Sequence, residues 1–134
     1  MTTESGLKLR TKLESAKTLT FTNAATNATY SAGDMIVLGD TPGVVVESVG
    51  TSGQAASDTY PNGPDGVLLY DAEKIVLPKL AGAGESFSAG DRLYYNTSEG
   101  KVTAVSTSNI LCGRALEDVG TSDTEVLADL IVLT

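Results

Sequence analysis

The sequence has no histidine, no tryptophan and a single cysteine, and each absence closes off a class of chemistry. Without histidine, the usual zinc ligand sets and the imidazole base of hydrolytic triads are gone. One cysteine rules out a disulfide within the chain. Cys112 stands in the apolar run Ile110-Leu111-Cys112, where a thiol reads as a small buried hydrophobe, not a nucleophile. Two phenylalanines and five tyrosines are a thin supply of stacking surface for sugars or single-stranded nucleic acid. Tyr94 and Tyr95 keep a glycan- or receptor-binding β-sandwich open as an alternative, but successive strand residues point to opposite faces, so only one of them can meet a ligand.

No apolar run approaches the roughly 18 residues of a membrane span, and the N-terminus lacks the apolar core of a signal peptide. The expectation is a protein made and kept in a cytoplasm until something else carries it, with no membrane partner. Asn27-Ala28-Thr29 and Asn96-Thr97-Ser98 then read as turns, not glycosylation sites. Nucleotide patterns are missing too: Phe87 stands where Gly82-Ala83-Gly84 would need its third glycine, and Tyr95 where Gly100-Lys101 would need a phosphate loop's first. Ser5-Gly6-Leu7-Lys8 fits S-x-x-K but has no companion motif. Asp58, Asn62 and Asp65 do not have calcium-loop spacing. No catalytic residue, cofactor or metal ligand is therefore assigned.

The net charge of −8 is unevenly placed. Residues 1–17 carry Lys8, Arg10, Lys12 and Lys17 against Glu4 and Glu14, a surplus of two positive charges, which leaves −10 for the rest. An acidic body repels phosphates, which argues against nucleic acid as a direct partner. Two segments follow: an N-terminal arm, 1–17, and a β-rich domain, 18–134. Within the arm, Leu7, Leu9 and Leu13 alternate with Lys8, Arg10 and Lys12, and these six are the candidate contact residues. An arm of this kind orders on a partner as an added strand or a short helix, or it is a terminus with no role.

Beyond the arm the pattern is strand, turn, strand. Thr18–Thr22 alternates polar and apolar, and further β-branched or apolar runs lie at Met35–Leu38, Val44–Val49, Val67–Tyr70, Lys74–Leu77, Arg92–Tyr95, Lys101–Val105, Ile110–Leu116 and Glu125–Leu133. Gly39-Asp40-Thr41-Pro42-Gly43 reads as a break, Pro78 as the end of a strand, and Gly50–Gly66 as a long contact loop. The fold class is all-β: a small β-sandwich or partly open, β-tulip-like barrel with an N-terminal arm.

The string Ser-Ala-Gly-Asp occurs twice behind an aromatic, at Tyr30–Asp34 and Phe87–Asp91. Extended without gaps, Tyr30–Glu47 lies on Phe87–Ala104, with Ile36 on Leu93, Gly43 on Gly100 and Val45 on Val102, which reads as a duplicated hairpin. Gly33 and Gly90 supply a positive φ, while Asp34 and Asp91 accept backbone N–H groups.

Gly66–Tyr70, Glu73–Lys79 with its Leu-Pro-Lys, Ala89–Asn96, Gly100–Thr103 and Leu111–Glu117 together resemble the tailed-bacteriophage capsid decoration, or cement, proteins, over roughly residues 30–133. The resemblance implies a structural virion protein, not an enzyme, that binds the outer surface of a phage head and stabilises the mature shell. It also implies the major capsid protein as partner and a homotrimer on the shell. Neither the arm nor the Gly50–Gly66 loop carries a motif of that family.

Overall fold

The structure, a computed structural model, describes residues 17–131. Among them there is no helix and there are eight strands: β1 (Lys17–Thr22), β2 (Met35–Leu38), β3 (Thr41–Val45), β4 (Asp65–Pro78), β5 (Arg92–Asn96), β6 (Lys101–Thr103), β7 (Ile110–Ala115) and β8 (Glu125–Leu130). All pair antiparallel in one sheet of order β2-β3-β4-β8-β7-β5-β6, with β1 also on β4. A parallel bridge between Lys79 and Val102 brings the end of β4 to β6, so the sheet curls almost into a barrel. The all-β expectation holds.

Two local expectations do not. Val67–Tyr70 and Lys74–Leu77 are not separate strands but parts of the single 14-residue β4. The polar residues between them do not break it, because the register against β8 shifts between Ala72 and Ile75 and absorbs the surplus in a bulge. Lys74 takes a φ of 56° there, its N–H held by Asp129 Oδ1 at 3.1 Å. Nor does Thr41-Pro42-Gly43 end a strand: the turn is Gly39-Asp40 alone, and Leu38 pairs directly with Thr41. With that closing pair hydrogen-bonded, Val37 and Pro42 form the non-bonded pair next to it, so proline's missing N–H costs nothing against β2. β3 meets β4 only from Val44 onward, beyond the proline.

The two Ser-Ala-Gly-Asp corners open two copies of one unit, larger than the hairpin the sequence suggested. In the first, Tyr30 and Val49 exchange backbone bonds, Gly33 N–H donates to Val45 O and Val45 N–H to Asp34 O. In the second, Phe87 and Val119, Gly90 and Ala115, and Ala115 and Asp91 do the same. The ungapped alignment therefore holds along β2 and β5, as far as Leu38 and Tyr95, and then fails: Val45 corresponds to Ala115, not Val102, and Gly43 to Gly113, not Gly100. The stretch from Gly90 to Ala115 is thirteen residues longer than that from Gly33 to Val45, and β6 lies in this insertion.

The correspondence runs through the whole described chain. Val44↔Leu69 and Val45↔Leu68 match Arg114↔Asp129 and Ala115↔Ala128, while Phe21↔Gly66 and Thr22↔Asp65 match Leu77↔Val126 and Pro78↔Glu125. Gly43 packs so closely on β4 that a Cβ would lie 2.5 Å from Leu69 O, and Gly113 makes the same approach to Asp129 O. Repeat 1 thus comprises β1, β2, β3 and the first half of β4; repeat 2 comprises the second half of β4, β5, β7 and β8, with β6 added.

The main core joins non-equivalent faces of the two repeats. Met35, Val44, Val46 and Leu69 of repeat 1 pack with Ile75, Leu77, Leu93, Tyr95 and Ala128 of repeat 2. Residues opposite each other across a ladder share a face, so the repeat 1 group lies on the Val44/Leu69 side and the repeat 2 group on the Ala115/Ala128 side. Each of the valine, leucine, isoleucine and methionine side chains among them contributes roughly 1.5–3 kcal/mol by leaving water.

Candidate functional site

The six arm residues singled out in the sequence, Leu7, Lys8, Leu9, Arg10, Lys12 and Leu13, lie outside the described residues. Their point of entry is described. Lys17 opens β1 opposite Asp71, and β1 pairs only with β4 among the described strands, which makes it an edge.

The Gly50–Gly66 loop is tied down along most of its length. Gly50 N–H donates to Gly63 O, Ser52 N–H to Ala25 O and Ser57 N–H to Tyr60 O, while Gln54, Gly63 and Asp65 close turns onto Thr51, Tyr60 and Asn62. Its root rests on the buried Asn23, whose Nδ2 donates to Gly50 O and Ala28 O, each at 2.9 Å. In repeat 2 the same position is Lys79, whose Nζ donates to Leu80 O at 2.7 Å and Asp123 O at 2.8 Å and lies 5.9 Å from the Phe87 ring centroid. The equivalence is fixed by the backbone: Asn23 N–H bonds Pro64 O as Lys79 N–H bonds Thr124 O. The short Gly120–Thr124 connection is thus the counterpart of the long loop, which is an expansion of repeat 1. An open groove beside it is lined by Phe21, Thr22, Asn62, Asp65 and Val67. Asp65 Oδ1 accepts from the Thr22 hydroxyl at 2.8 Å, and no group of three acidic or sulfur side chains able to hold a metal ion occurs among the described residues.

The corner aspartates are occupied by their own backbone. Asp34 Oδ2 accepts from Ser31 N–H and Asp91 Oδ2 from Ser88 N–H, each at 2.8 Å, with Gly33 and Gly90 at φ 95° and 97°. This is turn chemistry, as the sequence implied. Cys112 is buried as expected, and burial pushes its thiol up to about 12, far from the thiolate a nucleophile needs. Of the adjacent tyrosines, Tyr95 is buried with its hydroxyl on Met35 O, leaving Tyr94 alone to face outward and a poor platform for a sugar.

The signal missed in the sequence was the second half of the repeat. Glu47-Ser48-Val49-Gly50-Thr51-Ser52 recurs as Glu117-Asp118-Val119-Gly120-Thr121-Ser122, and Ser48 and Asp118 do the same work, accepting from Ala32 N–H and Ala89 N–H.

The described residues thus present surfaces and an edge strand, with no nucleophile set against a base. No curated protein and no solved structure matches the chain. A family model does, that of the phage cement proteins, over residues 13–130, from the last residues of the arm to the end of β8. A structural family of this kind speaks for a non-enzyme and places its members on the virion capsid. With nearly the whole chain matched, this protein belongs to the phage cement protein family, with a structural, capsid-associated role.

Proposed function

We propose that the protein adds to the outer surface of a phage head, contacts the major capsid protein and stabilises the mature shell as a homotrimer. The observation that carries this reading is the join between a cationic, leucine-alternating arm and the edge strand β1 of an acidic body in a cement-family chain. An arm that orders only on the shell adds a strand or short helix there, and three modest contacts on one trimer combine through effective concentration. Single-site affinity is then weak while the trimer holds firmly. Assembly takes place in the host cytoplasm, before the virion leaves.

The test is retention on purified heads. Deleting residues 1–16 leaves β1 whole; the expected result is a normally folded protein that washes off heads and no longer raises their resistance to heat or chelator. Unchanged retention rejects the arm mechanism, and a full-length protein that adds nothing to head stability rejects the stabilising role.

A further inference from the structure

The two repeats pack front to back, and this leaves one apolar sheet face of repeat 1 less covered than its twin: Val45 and Leu68 at its centre are buried, but its positions on the strands around them, β1 and β2, are not. In repeat 2, Ile75, Leu77, Leu93 and Tyr95 are buried under repeat 1. Their counterparts in repeat 1 are Leu19, Phe21, Ile36 and Leu38, and all four are only half-buried. The register puts them on one face: Leu19 stands opposite Leu68, Phe21 opposite Gly66, and Ile36 opposite Gly43, which packs on the Leu68 side chain. None of the four is charged, in a body whose overall charge is strongly negative.

We infer that this face of repeat 1 is the surface that docks on the shell, against an apolar, uncharged patch of the capsid protein, with repeat 2 turned to solvent. The inference rests on the capsid-binding reading above and names the surface it uses. Two further observations select this occupant. A second copy continuing the front-to-back stack would have to offer the repeat 2 equivalents of Met35, Val44 and Leu69, and these are Arg92, Arg114 and Asp129. Charged side chains there oppose burial on an apolar face and suit solvent instead. The described part begins at Lys17, on the edge strand that carries Leu19 and Phe21 of this face, so the sixteen preceding residues join the body at that strand.

Hydroxyl-radical footprinting of full-length protein, free and on purified heads, tests this directly. Phe21, Leu19 and Leu38 are expected to lose at least fivefold in labelling on the head, while Tyr94 and Leu127 of repeat 2 change little. A Leu19→Glu/Leu38→Glu protein is expected to lose head occupancy at least tenfold, against no change for Leu127→Glu. Footprints that stay unchanged at Phe21 on occupied heads overturn the docking face and leave the capsid-binding reading standing. Protection of Phe21 in the free protein that rises with its concentration assigns the face to a second copy and also overturns it. Full-length protein that neither occupies nor stabilises heads sinks the underlying reading instead.

Discussion

The hydroxyl of Tyr95 in β5 donates to the main-chain carbonyl of Met35 in β2 at 3.0 Å, a buried bond joining the two repeats across the core. It ties β2, at one end of the sheet order, to β5, with which β2 shares no ladder. Tyr95→Phe removes the donor and leaves that carbonyl without it, and a loss of about 1–3 kcal/mol is expected in urea unfolding with an unchanged slope.

The same phenol gives a pH dependence. Burial, then Cys112, Tyr30 and Asp34, raise the Tyr95 pKa above its ordinary 10.0. The folded state therefore holds this proton more tightly than the unfolded state. Its contribution is complete below pH 10.0 and falls as pH rises through the folded value. Cys112, raised by burial from 9.0 to about 12, acts in the same direction over the window between those values. Denaturation midpoints are expected to decline above about pH 9, and less steeply in Cys112→Ala, since each titrating group contributes at most ~1.4 kcal/mol per pH unit. At neutral pH the thiol is expected to resist iodoacetamide until the protein unfolds.

Gly43 and Gly113 are expected to fail alike. An added methyl at either meets a main-chain carbonyl of the neighbouring strand, Leu69 O or Asp129 O, which cannot swing aside as a side chain would. Gly43→Ala and Gly113→Ala should each cost about 1–3 kcal/mol by overpacking. Gly90→Ala meets nothing within 4 Å, and its cost, about 1–2 kcal/mol, comes from a φ of 97° alone. Thermal scans of the three variants separate the two mechanisms.

Asn23 and Lys79 hold equivalent places with different chemistry, and both are buried. Asn23→Ala frees the carbonyls of Ala28 and Gly50 and removes the acceptor of Ala25 N–H. Lys79→Met keeps the apolar stem and strips the carbonyls of Leu80 and Asp123 of their donor. Each should lose about 1–3 kcal/mol per group left without a partner in its buried setting. Amide exchange is expected to accelerate in the Gly50–Pro64 loop for Asn23→Ala and at Asp123–Thr124 for Lys79→Met, not in both.

Much of the strand content was legible because half-buried strands alternate, as in Thr18-Leu19-Thr20-Phe21, and the corners were legible because Gly33 and Asp34 do jobs few other residues can. The extent of the repeat was not. Val44 and Arg114, or Leu69 and Asp129, occupy the same backbone positions, but one of each pair faces core and the other water, so selection for burial erased their likeness. The β6 insertion then displaced the remaining identity, Glu-x-Val-Gly-Thr-Ser, out of ungapped alignment. The continuity of β4 was hidden because Asp71-Ala72-Glu73-Lys74 reads as a polar break until β8 supplies a bulge to hold it. The half-covered face of repeat 1 was invisible for another reason: Leu19, Phe21, Ile36 and Leu38 look like core residues in sequence, and only comparison with the covered twin shows what they lack.

One consequence follows from β4 passing through both repeats without a loop between them. Among the described residues only the bulge between Ala72 and Ile75 marks the passage from one repeat to the other. Lys17 is tied through the β1–β4 ladder to β4, and β4 through its second half to β8 and the second repeat. The two repeats are thus joined through one unbroken main chain, and any shift of one is passed to the other across the bulge between Ala72 and Ile75.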